Sequence, residues 1–106
     1  AEHVIEMHEH PAKGFMAKPN SSIALGLSLV RDGGLDAFIS AGNTGAMLVA
    51  SVLTLGNIEG VLRPTIGALC PTDGGSYGLI VDVGANADCK PEQLAQFGLI
   101  GSLFMQ

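Results

Sequence analysis

Apolar residues recur along this chain at helical spacing in some stretches and in short runs elsewhere. Ile23, Leu27 and Val30 fall on one helical face behind Asn20, Ser21 and Ser22, whose oxygens suit an N-cap, and Gly33-Gly34 closes the run at the left-handed position. The pattern predicts a helix over residues 21–32. Asp36-Ala37-Phe38-Ile39-Ser40 reads as a short strand, and after Ala41-Gly42 a second helix is expected over residues 43–55, stopped by Gly56. In that helix Ala46, Met47, Leu48, Val49, Ala50, Val52, Leu53 and Leu55 leave only Thr44, Ser51 and Thr54 polar. It should therefore be buried on several sides, in a core or under a partner. Residues 1–7 read as the tail of a strand and 8–19 as a polar, proline-flanked loop. Residues 65–69 and 79–83 read as further strands around a turn-rich stretch, 71–78. Pro91 suits the first position of a helix whose inner face is marked by Leu94, Phe97, Gly101 and Phe104.

Strands alternating with helices long enough to cross over imply an α/β fold of three layers, α/β/α, around a mostly parallel sheet. The chain has 106 residues, 47% hydrophobic and 14% charged, which fits one α/β domain at most and excludes disorder. It opens inside an expected strand and closes on the apolar helix face Leu99-Ile100-Gly101-Ser102-Leu103-Phe104. It thus reads as a fragment, residues 1–106, of a single larger domain truncated at both ends. No run reaches the roughly 18–20 apolar residues of a membrane span. The start lacks a basic region followed by an apolar run, so no secretory signal is visible and a cytoplasmic setting is expected.

Charge narrows the partners. Ten acidic residues against five basic ones give a net charge of −5 without a Lys or Arg cluster, which leaves no electrostatic footprint for nucleic acid. Gly42-Asn43-Thr44-Gly45 matches the GxxG loop of KH RNA-binding modules, but its middle positions are not basic. Cys70 and Cys89 stand nineteen residues apart and read as two reduced thiols, with a single disulfide as the alternative. His3, His8 and His10 lack acidic or thiol partners at ligand spacing and read as solvated. Cys89 beside Lys90, with no His near it in sequence, reads as a bystander thiol rather than a nucleophile.

Two stretches carry candidate chemistry. In Ser40-Ala41-Gly42-Asn43-Thr44-Gly45-Ala46 a strand is expected to end, small residues turn the chain, and a helix starts with its N–H groups free. Such a turn suits an anion: Gly42 and Gly45 leave room, and Ser40, Asn43 and Thr44 add donors. The alternative is an ordinary tight turn with an Asn or Thr cap. In Asp82-Val83-Gly84-Ala85-Asn86-Ala87-Asp88-Cys89-Lys90-Pro91, two carboxylates, an amide and an ammonium crowd the end of another strand. In open parallel sheets ligands sit beyond the strands' carboxyl ends, so both loops are expected to face one pocket. Alternatively, Asp82 and Asp88 cap turns and Lys90 is a solvated pair partner. Neither a Gly-x-Gly-x-x-Gly after a strand nor a Gly-Lys-Ser/Thr ending is present, which removes the main support for a dinucleotide or P-loop site.

Together with Lys18-Pro19-Asn20-Ser21-Ser22, Arg63-Pro64, Glu92 and the tail from Gln96-Phe97 to Gly101-Ser102, these stretches resemble the phosphate acyltransferase family of bacterial phospholipid synthesis, PlsX. The resemblance runs in order along the whole chain. It implies an isocitrate-dehydrogenase-like, phosphotransacetylase-like α/β/α fold, a homodimer, and an enzyme that moves a fatty acyl group from acyl carrier protein to inorganic phosphate at the cytoplasmic membrane surface. No metal or organic cofactor is called for. The resemblance marks these stretches and not the role of each residue; from residue type and position, Asn43, Asn86 and Lys90 are the candidate catalytic residues, and Ser40, Gly42, Thr44, Gly45, Asp82, Gly84 and Asp88 the candidate substrate-binding ones. The family's N-terminal Gly-Gly-Asp turn and its C-terminal half are absent from this chain, and the acidic stretch does not suit an acidic carrier protein. Docking is expected to use other parts of the protein or a dimer interface, and this stretch alone is expected not to turn over carrier protein. The alternatives are a short-chain phosphotransacetylase-like enzyme using coenzyme A, and a non-catalytic anion-binding or assembly domain.

Overall fold

Proline has no N–H to lose at a first helical position, and Pro11 and Pro91 each start a helix in the computed structural model, which describes all residues 1–106. The elements run α1 (Pro11–Ala17), α2 (Ser22–Arg31), α3 (Thr44–Leu55), β1 (Gly67–Pro71), β2 (Tyr77–Val81) and α4 (Pro91–Phe104). They form two compact units, Ala1–Gly56 and Asn57–Gln106. No helix is long and apolar enough to cross a membrane.

The first unit is helical. α3 packs against both α1 and α2, and Ala46 and Ala50, one turn apart on α3, are wholly buried with Ile5, Ile23 and Leu27. Small side chains at that stripe let the helices approach closely. The turn into α3 also presses on α1, because a Cβ on Gly45 would lie 2.6 Å from Pro11 Cγ. α2 matches the reading from periodicity: Ser21 Oγ accepts from Ala24 N–H, Asp32 closes the helix, and Gly33 follows in the left-handed region at φ +76°.

Three expectations for this unit are corrected. Residues 8–19 contain α1 rather than a continuous loop, since Pro11 starts a helix that buries Gly14 under Ile5. Residues 1–7 and 36–40 form no strands. The former is stitched to the start of α2 by Glu2 and His3 N–H on the Asn20 carbonyl, Ser22 N–H on the His3 carbonyl and one bridge, His3 to Ser21. The latter has no neighbouring strand and is held instead by Phe38, which leans on the core while Ile39 stands 94% exposed. Within this chain α3 buries one stripe and leaves Val52, Leu53 and Leu55 exposed, which does not test the expected burial under a partner.

The second unit is a hairpin and a helix. β1 and β2 pair antiparallel, Gly67 opposite Val81 and Leu69 opposite Leu79. A mostly parallel sheet is therefore not what these two strands make: the five residues between them turn back through Thr72 and Ser76, whereas a parallel pair needs a crossover of a dozen residues or more. The observed class is a small mixed α/β arrangement. The strands are also offset from residues 65–69 and 79–83 by about two residues, because Asp82 and Thr65 leave the ladder to bond each other. α4 packs on β2 through Gly101, beside Leu79 and Val81, and buries Phe97. Leu94 and Phe104, expected on its inner face, are exposed. Gln93 is buried in their stead, with Oε1 2.8 Å from the Lys90 N–H that it accepts.

Close approach makes Gly26 of α2 a sensitive position, for an added methyl group would overlap the Phe38 ring. Gly26→Ala is expected to lower stability by about 1–3 kcal/mol, read as a lower urea midpoint at an unchanged slope.

Candidate functional site

Residues 40–46 belong to the first unit and 82–90 to the second. In the first, Ser40 Oγ accepts from Gly42 N–H and donates to the Gly42 carbonyl, both at 3.2 Å, which pins the turn. Gly42 sits at φ +115°, a conformation that side chains disfavour. A Cβ there would also meet Thr44 N at 3.1 Å.

Asn43 follows, 6% exposed, as the N-cap of α3. Its Oδ1 accepts from Ala46 N–H at 3.2 Å. Its Nδ2 donates to the carbonyls of Glu6 at 3.1 Å and Glu9 at 3.3 Å, with the Met7 carbonyl farther off at 3.5 Å. Both ends of this amide are thus engaged inside the protein. The N–H groups of Thr44 and Gly45, at the head of α3, have no acceptor in the protein. Thr44 is exposed and Gly45 half-buried, so this end of the helix offers two backbone donors, a hydroxyl and the positive end of the dipole.

Lys18 and Asn20 also turn inward to the N-terminal segment. Lys18 Nζ donates to the Val4 carbonyl at 2.7 Å and pairs with Glu9 at 2.5 Å, which lowers the Glu9 carboxyl below its ordinary range, the Lys18 hydrogen bond first and the Glu6 N–H second. The segment whose carbonyls hold Asn43 is therefore itself fastened.

The second loop is built around Asp82. Oδ1 accepts from Thr65 Oγ1 at 3.0 Å and Ile66 N–H at 2.9 Å, and Oδ2 from Asn86 N–H at 2.7 Å and Asn86 Nδ2 at 3.1 Å. Asn86 Nδ2 reaches on to the Pro64 carbonyl at 3.0 Å. Partial burial pushes the Asp82 carboxyl up, and the donors from Ile66, Asn86 and Thr65 outweigh it, leaving the group below the ordinary carboxylate range. Between the two partners Gly84 turns the chain at φ +102°. Asp88 and Lys90 are exposed and belong to no ion pair, and Cys70 and Cys89 are free thiols.

The structure thus joins Asp82 directly to Asn86 and leaves Asp88 and Lys90 on the loop's outer side. It adds Pro64, Thr65 and Ile66, which composition alone did not mark. Arg63-Pro64 was the one signal for them, as part of the family resemblance. The Glu6, Met7 and Glu9 carbonyls that hold Asn43 left no signal, because backbone acceptors are the same in every residue.

The chain matches the family described as fatty acid synthesis protein over residues 1–106. It is 48% identical over 106 residues to a phosphate acyltransferase of Dictyoglomus thermophilum, covering all of this chain and 32% of that protein. It is 50% identical over 103 residues to one of Elusimicrobium minutum, with 97% and 30% covered. Against one of Myxococcus xanthus it is 48% identical over 107 residues, with 100% and 30% covered. The chain spans about a third of the length of the curated relatives it matches.

Because its folded value is lowered, the Asp82 carboxylate stabilises the fold above the unfolded value of about 3.9. That contribution disappears as pH falls through the lowered value. Unfolding free energy should accordingly drop in acid below about pH 4. Asp82→Asn is expected to remove part of that acid dependence and to lose about 1–3 kcal/mol at neutral pH, since an NH2 group then faces donors.

Proposed function

The chain belongs to the fatty acid synthesis protein family, and on that premise we propose that the full-length protein transfers a fatty acyl group from acyl carrier protein to inorganic phosphate, releasing an acyl phosphate for phospholipid synthesis. The observation that carries this reading is the match of the entire chain, at about half identity, to proteins named phosphate acyltransferase. The reaction needs no protein nucleophile. Phosphate attacks the thioester carbonyl, and the protein holds the anion, orients it and stabilises the oxyanion that develops.

Thr44 and Gly45 suit that task through N–H groups with no internal acceptor, with the Thr44 hydroxyl beside them. Ser40 and Gly42 shape the turn, and Asn43 sets its position from behind. In the second unit Lys90 supplies an unpaired positive charge, Asn86 a side chain fixed by Asp82, and Gly84 the bend, while Asp88 is an exposed carboxylate outside any ion pair. The premise extends to a three-layer α/β/α fold for the whole protein, a homodimer, and a cytoplasmic enzyme that touches the membrane peripherally through parts outside this chain.

Full-length protein given phosphate should release thiol from long-chain acyl carrier protein and not from acetyl coenzyme A. The reverse preference would favour a short-chain phosphotransacetylase, and no release from either would remove the enzymatic reading. Asn43→Ala should lower turnover by about tenfold to a hundredfold through displacement of the head of α3, with a stability loss of about 1–3 kcal/mol from the missing cap and the carbonyls left without their donor. Lys90→Ala should raise KM for phosphate about tenfold, as loss of one charge-assisted contact does.

A further inference from the structure

The two groups around the Asn86 side chain dictate its orientation. Nδ2 lies 3.0 Å from the Pro64 carbonyl and 3.1 Å from Asp82 Oδ2. A carbonyl and an ionised carboxylate can only accept, so both amide hydrogens are used within the protein. The opposite orientation would set oxygen against oxygen twice. What remains is Oδ1, which takes no hydrogen bond from the protein and, in a half-buried residue, is open to solvent. Held in this way, Asn86 meets a ligand as an acceptor alone.

The surroundings reinforce that polarity. Asp82 is filled by four donors and has no role left as a ligand in its own right, yet its negative charge stays directly behind the Asn86 amide. An anion oxygen approaching Oδ1 is repelled unless it brings a proton. Arg63 and Lys90, the basic residues of the second unit, are exposed and in neither ion pair. One precedes Pro64 and the other follows Asn86 by four positions. They are the positive charges of this unit that no carboxylate neutralises by pairing.

We propose that Asn86 Oδ1 accepts a hydrogen bond from the P–OH of hydrogenphosphate, making it a specificity-determining residue that favours protonated tetrahedral anions over sulfate. This rests on the function proposed above. A site built to bond a hydroxyl discriminates against the analogue that lacks it, because its polar group is then left opposed. The proton also has a place in the exchange. Hydrogenphosphate forms a C–O bond through an unprotonated oxygen, the C–S bond breaks, and the P–OH proton ends on the departing sulfur, giving acyl phosphate dianion and neutral thiol.

The test is displacement of radiolabelled phosphate from the full-length protein at neutral pH, without acyl donor. Arsenate keeps an O–H and should displace phosphate at concentrations near those of phosphate itself. Sulfate and selenate carry none and should need about tenfold to a hundredfold more. Asn86→Ala should narrow that gap to a few-fold. Equal displacement by sulfate and arsenate in the unaltered protein overturns the proposal, as does a folded Asn86→Ala protein that keeps the full gap. If that variant does not fold, the anion series on the unaltered protein decides alone. Phosphate-dependent thiol release from acyl carrier protein, measured alongside, separates the two readings. Release without anion discrimination sinks this inference only, and no release sinks the function with it.

Discussion

The buried amide of Asn43 is the contact on which the first unit depends. Its oxygen caps α3 and its nitrogen gathers the carbonyls that lead into α1, so one side chain fixes the start of the central helix against the chain that precedes its neighbour. Desolvating an amide is costly unless its directions are met, and here they are met by groups from two parts of the chain. That coupling holds Gly45 against Pro11 and lets Ala46 and Ala50 seat in the core. In the second unit Asp82 and Asn86 repeat the principle with a charge added. The carboxylate is retained because four donors compensate its partial burial, and the same donors tie the end of β2 to the residues before β1.

Helices with a local signature were legible in the sequence, and pairing between distant segments was not. Ser21, Gly33 and the Ile23-Leu27-Val30 stripe mark α2 from neighbouring residues alone, and Pro91 marks the start of α4 in the same manner. Strand direction depends on what lies opposite: residues 71–78 are too few for a parallel crossover, and the expectation of a mostly parallel sheet, drawn from the alternation of strands and helices, gave way to an antiparallel pair. Residues 36–40 have a strand-like composition, yet composition cannot supply a ladder partner. The apolar character of α3 reports a tendency to be buried without a direction, and only the packing shows that Ala46 and Ala50 form the inner stripe.

For the candidate site, the sequence located both loops but not the roles inside them. Residue type suggested that Asn43 faces a ligand as a donor and marked Asn86 as a candidate catalytic residue, and a primary amide carries two N–H groups. The structure uses those groups on Glu6 and Glu9 in one case and on Pro64 and Asp82 in the other. Carbonyl acceptors of this kind have no residue signature. A reader of sequence sees the donor and cannot see that it is already engaged.

This division of labour suits the chemistry proposed for the full-length protein. When a substrate anion is itself the nucleophile, a protein side chain gains little by being reactive, and rate comes from holding two reactants in one geometry. Mobile donors on an open loop would lose much of that advantage to reorganisation, whereas backbone N–H groups at a capped helix start and an amide oxygen locked from behind keep their direction as charge develops. The saturated contacts of Asn43 and Asp82 would then matter to each loop separately: each uses its own hydrogen-bonding capacity internally so that a neighbour in its own unit, the head of α3 in the first or Asn86 Oδ1 in the second, stays unoccupied and aimed. Loss of the anchoring residue would loosen a contact that the anchor itself never makes with the substrate.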